Sequence, residues 1–191
     1  MHFTQAVARY LDSFCVPDPP KQQFAGGVFR TEPYNVSLSH WIYQIYKLSK
    51  ISPSGIFQTC ILLVTIHHSF PSLHFSNLNV RRLFLIAAMV VSKMYEDVTY
   101  CNRDWIVISQ NSFTLKQINS MELELLRLLN FRVVVSIEEY QSFLGNLLRF
   151  FDVRLPIALP PSNHLTCPYI DKTTHDPSGS IQFYVPNEAN L

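Results

Sequence analysis

Val80-Arg-Arg-Leu-Phe-Leu-Ile-Ala-Ala-Met-Val-Val-Ser-Lys-Met-Tyr95 is the stretch on which the fold turns. Its centre, Leu83 to Val91, is apolar on every side of a helical wheel, so it reads as a helix enclosed by other elements. A spanning helix needs about 18 or more apolar residues, and this run falls well short. One polar strip interrupts it. Arg82 stands near the start of that face and Lys93 near its end, with Ile86, Met89 and Val90 between them.

Outward from this centre the punctuation is that of short helices. Ahead of it, Asn77 or Asn79 marks the helix start. Further upstream, Ser52-Pro53 sets a capping residue before a proline at the first helical position. That start opens a helix through Ile56, Phe57, Cys60, Ile61 and Val64 to about His68. Ser37 or Ser39 caps another, carrying Trp41, Ile42, Ile45, Tyr46 and Leu48. At the N-terminal end, Ala6, Val7, Tyr10, Leu11 and Phe14 have helical spacing.

Downstream, Asn102 is placed to cap a short helix containing Trp105, Ile106 and Ile108. Thr114-Leu-Lys-Gln117 and Ser136-Ile-Glu-Glu139 fit the capping box, in which the first and fourth side chains each satisfy the other's backbone. They predict helices over Leu115–Leu129 and Ile137–Phe151. No apolar/polar alternation bounded by hairpin turns occurs, so the fold class is all-α with short connections.

The chain has 191 residues, and that length fits one domain with a modest appendage. Hydrophobic residues make up 48% and charged residues 15%, below the usual share of about 25% charged. Lys and Arg total 15 against 14 Asp and Glu, a net charge of +1. Neutralising phosphates takes a basic excess or stripe, so nucleic acid is not an expected partner. The cysteines at 15, 60, 101 and 167 form no CxxC and have no histidine at ligand spacing. Met1-His2-Phe3-Thr4-Gln5 lacks the basic and apolar regions of a leader. An intracellular protein of the nucleus or cytoplasm, away from membranes, is the expectation. After Phe151, six prolines between Pro156 and Pro186 and little apolar periodicity predict an irregular tail over residues 152–191.

Two charges stand out. On a helix over Leu115–Leu129, Ile118, Met121, Leu125 and Leu129 gather on one face, and Glu122 falls among them. A carboxylate there is costly unless paired. Lys93, on the polar strip of the central helix, is a candidate partner for Glu122 or for something outside the chain. The plainer readings are a private structural pair, or a lysine complementing its helix C-terminus.

Ala87-Ala-Met-Val-Val-Ser-Lys93-Met-Tyr-Glu-Asp97, Tyr100-Cys-Asn-Arg-Asp-Trp105 and Met121-Glu122-Leu-Glu-Leu-Leu-Arg-Leu-Leu-Asn-Phe131 together resemble a cyclin box. Ser52-Pro-Ser54 and Leu78-Asn-Val-Arg-Arg82 narrow the likeness to the phosphate-regulon, or P/U-type, cyclins. The resemblance runs from about Ser37 to Leu148. It implies a single five-helix box over residues 37–151, preceded by an N-terminal helix and linker (1–36), with one following helix.

The resemblance further implies a non-catalytic subunit that binds and activates a cyclin-dependent protein kinase, in cell-cycle control or nutrient and phosphate signalling, without a cofactor. Lys93 and Glu122 match the family's signature pair, which hydrogen-bonds backbone around the kinase's regulatory C-helix. Met94, Leu126 and Phe131 match positions of apolar contact, and Val90, one turn before Met94, would join them. Relatives carry an arginine on the first box helix and an aspartate on the second; here Gln44 and Val64 stand there, so neither charge is orphaned. The alternative is a cyclin-box adaptor without kinase activation, a scaffold or a transcription-factor-like use of the fold. An enzyme has little behind it, since the sequence has no Gly-rich phosphate loop, nucleophile motif or metal spacing.

Overall fold

The computed structural model describes residues 3–17, 27–29 and 36–151, all within the first of two units, Met1–Arg154. Expectations for the tail at 152–191 and for most of the linker before Ser37 lie outside the described residues. Seven helices are described: α1 (Phe3–Asp12), α2 (Leu38–Ser49), α3 (Pro53–Ser69), α4 (Val80–Tyr95), α5 (Asp104–Ile108), α6 (Leu115–Leu128) and α7 (Ile137–Phe150). The described residues contain no strand, only a single bridge from Cys15 to Phe75. The fold is all-α, as the sequence implies.

The core is assembled around α4. Twelve of its 16 residues, from Val80 to Ser92, are buried. α3 and α6 pack against it most extensively, with α2 also in contact, and α7 lies on α3. α1 seats Val7, Ala8, Tyr10 and Leu11 in the same core, chiefly on α2. Apolar patterning accounts for this arrangement: α4 is buried without a break from Leu83 to Ser92 and takes the middle, and α3 beside it buries Ile61, Leu62 and Leu63 in succession. Cys60 is wholly enclosed, and burial pushes its thiol above the ordinary range, so it stays protonated. Among the described residues, no helix is long and apolar enough to cross a membrane.

Four helix starts follow the local rule. The hydroxyls of Ser37, Ser52, Thr114 and Ser136 accept from the backbone N–H three residues on, at 3.3, 3.0, 3.3 and 3.2 Å. Both capping boxes close: Gln117 Oε1 accepts from Thr114 N at 2.9 Å and Glu139 Oε2 from Ser136 N at 2.8 Å. α3 is also tied to the end of α4, because Glu96 Oε1 accepts from Ser52 N at 2.9 Å and Ser52 Oγ at 2.8 Å. Gly55 permits that approach. A Cβ there would sit 2.6 Å from Ile51 and 2.7 Å from Glu96 Oε1.

Several expectations are corrected. α1 ends at Asp12, so Phe14 lies beyond it, half-buried against Tyr10 and His67. Leu48 is exposed rather than on the packed face. The polar strip of α4 is not a surface, since Ile86 and Met89 are fully buried. Arg82 at its start lies over the Phe113 ring at 5.0 Å and donates to Val28 O at 2.9 Å. Asn79 precedes α4 without capping it; its amide accepts from Ser76 N at 3.0 Å and donates to His74 O at 2.8 Å.

Candidate functional site

The last turn of α4 is where the enclosed helix reaches solvent. Up to Ser92 its residues are largely buried; Lys93, Met94 and Tyr95 are exposed. On α6, Ile118, Met121 and Leu125 face inward and place Glu122 at the border of that stripe. Lys93 Nζ donates to Glu122 Oε1 at 2.6 Å, with side chains 33% and 20% exposed. Glu122 is therefore not sunk in the middle of an apolar face. A helical wheel assigns a sector from spacing alone, and here that sector is filled by polar groups arriving from α4 and from the turn before α5.

Asn102 is the second of those arrivals. It does not cap α5, which begins at Asp104 after Arg103, with no side-chain cap bond. Asp104 takes the local role instead, accepting from Cys101 N at 2.9 Å. Asn102 is left to accept from Lys93 Nζ and to donate to Glu122 Oε2 at 2.6 Å and Asn119 Oδ1 at 2.8 Å. The sequence signal was present: two residues able to cap, Asn102 and Asp104, crowd one short helix, and only one is needed.

The ion pair by itself adds little to stability. A half-exposed ion pair contributes roughly 0–1 kcal/mol. That is little return for ordering a lysine, whose lost rotamer freedom costs about 1.5–2 kcal/mol. The arrangement holds an ammonium and a carboxylate in one hydrogen-bonded group with Asn102 and Asn119, with both charges partly exposed to solvent.

Apolar side chains stand around it. Met94 is 49% and Phe131 62% exposed, and Leu126 is half-buried. Phe131 holds a left-handed backbone with φ 58°, following Asn130 at 48°. For a residue with a Cβ this costs about 1–2 kcal/mol. Tyr95 braces the same region, its hydroxyl donating to Val133 O at 3.2 Å and accepting from Val135 N at 2.7 Å. Val90 is the exception among the expected contact residues. It is only 6% exposed and belongs to the core, because the cover on α4 runs on through Ser92, two residues beyond it.

Gln44 and Val64, the positions at which the resemblance implies an ion pair, carry neutral side chains. Gln44 Nε2 lies 3.2 Å from His40 Nε2 within α2, and Val64 is half-buried against the core. Among the described residues, no group of three or more His, Cys, Asp or Glu is arranged to hold a metal. The Arg82-to-Leu85 stretch, which has the spacing of a degradation signal, lies within α4 with Leu85 fully buried.

Comparison with known proteins gives a consistent answer. A family model described as "Cyclin, N-terminal domain" matches residues 30–134, more than half of the chain. Cyclin-U1-1 of Arabidopsis thaliana is 33% identical over 113 residues, covering 59% of this chain and 53% of that protein. Cyclin-U4-1 of the same plant is 25% identical over 153 residues, covering 78% and 75%. PHO85 cyclin-7 of Saccharomyces cerevisiae is 28% identical over 74 residues, 39% of this chain and 25% of the relative. The chain spans about half the length of most of the curated relatives it matches.

Proposed function

The chain belongs to the cyclin family, and from that premise we propose that it is a regulatory subunit that binds and activates a cyclin-dependent serine/threonine kinase. The observation that carries this reading is the Lys93–Glu122 pair, joined at 2.6 Å across α4 and α6 at an exposed border. By the resemblance, both residues match the family's kinase-binding pair. Met94, Leu126 and Phe131 supply apolar surface beside it. The chain supplies no chemistry of its own in this scheme.

Activation is then a matter of populations. Phosphoryl transfer needs the kinase helix whose glutamate pairs with the ATP-site lysine to lie inward. A rigid helical surface that binds the inward state better than the outward one shifts the equilibrium by that difference in affinity. We place the protein in cell-cycle control or in nutrient and phosphate signalling, within the nucleus or cytoplasm. The likeness of Ser52–Ser54 and Leu78–Arg82 to the phosphate-regulon cyclins is what supports this.

The test is purification of the tagged protein from its own cells beside the Glu122→Ala form, with mass spectrometry of what accompanies each. A kinase recovered with the wild type and lost with the variant supports the reading and names the partner. Folded, abundant protein that brings no kinase in either form overturns it in favour of a cyclin-box adaptor.

A further inference from the structure

Asn102 lies in the turn between α4 and α5, outside any helix. Its one planar group touches both charges of the neighbouring pair. Oδ1 accepts from Lys93 Nζ. Nδ2 donates to Glu122 Oε2 at 2.6 Å, while the other carboxylate oxygen, Oε1, takes Lys93 Nζ at 2.6 Å. Three side chains thus close a ring in which every contact runs from donor to acceptor.

A carboxamide suits this place because it carries a donor and an acceptor on one rigid plane. An aspartate of the same size would accept from Lys93 but repel Glu122. A serine would be too short to bridge them. Asn119 fixes which way the amide points, since its Oδ1 accepts from Asn102 Nδ2 at 2.8 Å. Turned over, the amide would aim its oxygen at two acceptors and its NH2 at the ammonium.

We propose that Asn102, oriented by Asn119, is a positioning residue that holds Lys93 and Glu122 in one geometry before any partner arrives. Lysine has many rotamers to lose on docking, and a side chain ordered beforehand does not lose them again at binding. The consequence for kinase affinity rests on the function proposed above; the ordering of Lys93 does not.

The experiment follows the mobility of the Lys93 ammonium in the free full-length protein by 15N relaxation, together with affinity for the kinase recovered above. Asn102→Ala is expected to leave the unfolding midpoint near that of the wild type and to make the Lys93 ammonium mobile. Kinase affinity should fall about five- to tenfold, the scale of one ordinary net hydrogen bond. Asn102→Asp should weaken binding further, because it competes for Lys93 and repels Glu122. Asn102→Asp combined with Glu122→Gln exchanges donor and acceptor and should restore the order of Lys93. Asn119→Ala, a milder change on the surface of α6, should give an intermediate mobility if Asn102→Ala proves unstable.

An unchanged Lys93 in Asn102→Ala and Asn119→Ala overturns the proposal. So does an Asn102→Asp form that behaves better than Asn102→Ala, which would mark a residue needed only for its shape. A wild type that captures no kinase, with Lys93 loosened in the variants as expected, would sink the kinase reading and leave the positioning role standing.

Discussion

Two kinds of helix start occur in this molecule. α2, α3, α6 and α7 each begin with a serine or threonine whose hydroxyl accepts from the third residue on. α4 and α5 begin without any side-chain cap, although an asparagine precedes each. Those asparagines are engaged elsewhere: Asn79 ties the incoming loop to itself, and Asn102 bridges Lys93 and Glu122. A cap contributes about 1 kcal/mol, whereas the Asn102 contacts lie at a partly exposed border, where water can replace them and the net contribution to folding is small. At Asn79 the side chain serves its own incoming loop; at Asn102 the local rule gives way to groups 9 and 20 positions away that compete for the same side chain.

The largest expected effect tests whether the capless side of this comparison is functional. Glu122→Ala should weaken kinase binding by about 2–5 kcal/mol, the scale of truncating one member of a hydrogen-bonded charged contact at an interface. Titration calorimetry with the recovered kinase measures it. A loss within about twofold in a folded variant, no more than an ordinary surface substitution gives, would break the link between diverted capping and function. Lys116→Ala on the exposed side of α6 is the control.

Phe131 extends the same argument to the backbone. Phe131→Gly removes left-handed strain of about 1–2 kcal/mol and adds about 0.5–1 kcal/mol of backbone entropy to be lost on folding. Since the side chain is 62% exposed, little burial is forfeited and the unfolding midpoint should hardly move. Kinase affinity should fall by about 1–2 kcal/mol if the ring is an apolar anchor. A midpoint that drops with affinity intact would make Phe131 a structural residue.

Ser136→Ala probes the opposite side. It should cost about 1 kcal/mol of stability by denaturant unfolding while leaving kinase affinity within about twofold. Asn102→Ala should show the reverse pattern. Were both variants to lose the same stability, the distinction between capping and diverted residues would collapse.

The fold was legible because its signals are local. Capping serines and threonines, proline at Pro53 and stripes of apolar residues are read within a few positions, and an all-round apolar α4 has only one place to go. Lys93 and Glu122 were legible as anomalies, two charges on apolar faces. What the sequence hid was how far the cover extends along α4, which decides that Val90 is enclosed and Met94 is not. It also hid Asn102's role, because the choice between capping Asp104's helix and bridging Lys93 to Glu122 is made by residues 9 and 20 positions away. Pattern reading sees each candidate for a bond but not the competition between them.

His67 shows that competition at the other end of a helix and gives the smallest effect. A histidine in the last turn of α3 should favour its charged form, drawn by the carbonyl end of the helix. The structure opposes this. The ring lies between Phe14 at 5.1 Å and Phe75 at 5.2 Å, with His68 at 5.8 Å, and its Nδ1 is buried without a partner. Burial first, and the neighbouring His68 and His74 next, hold its pKa below the ordinary 6.5. The unfolded chain then takes a proton at a pH where the folded one refuses it. His67's share of stability is complete above 6.5 and is lost as the pH falls through the lower folded value. The unfolding midpoint of the wild type should therefore fall more than that of His67→Gln between about pH 7.5 and pH 5.5, the window in which histidine titrates. Equal slopes in the two proteins would mean that the helix end prevails over the aromatic packing, and that tertiary contacts do not overrule the local rule there.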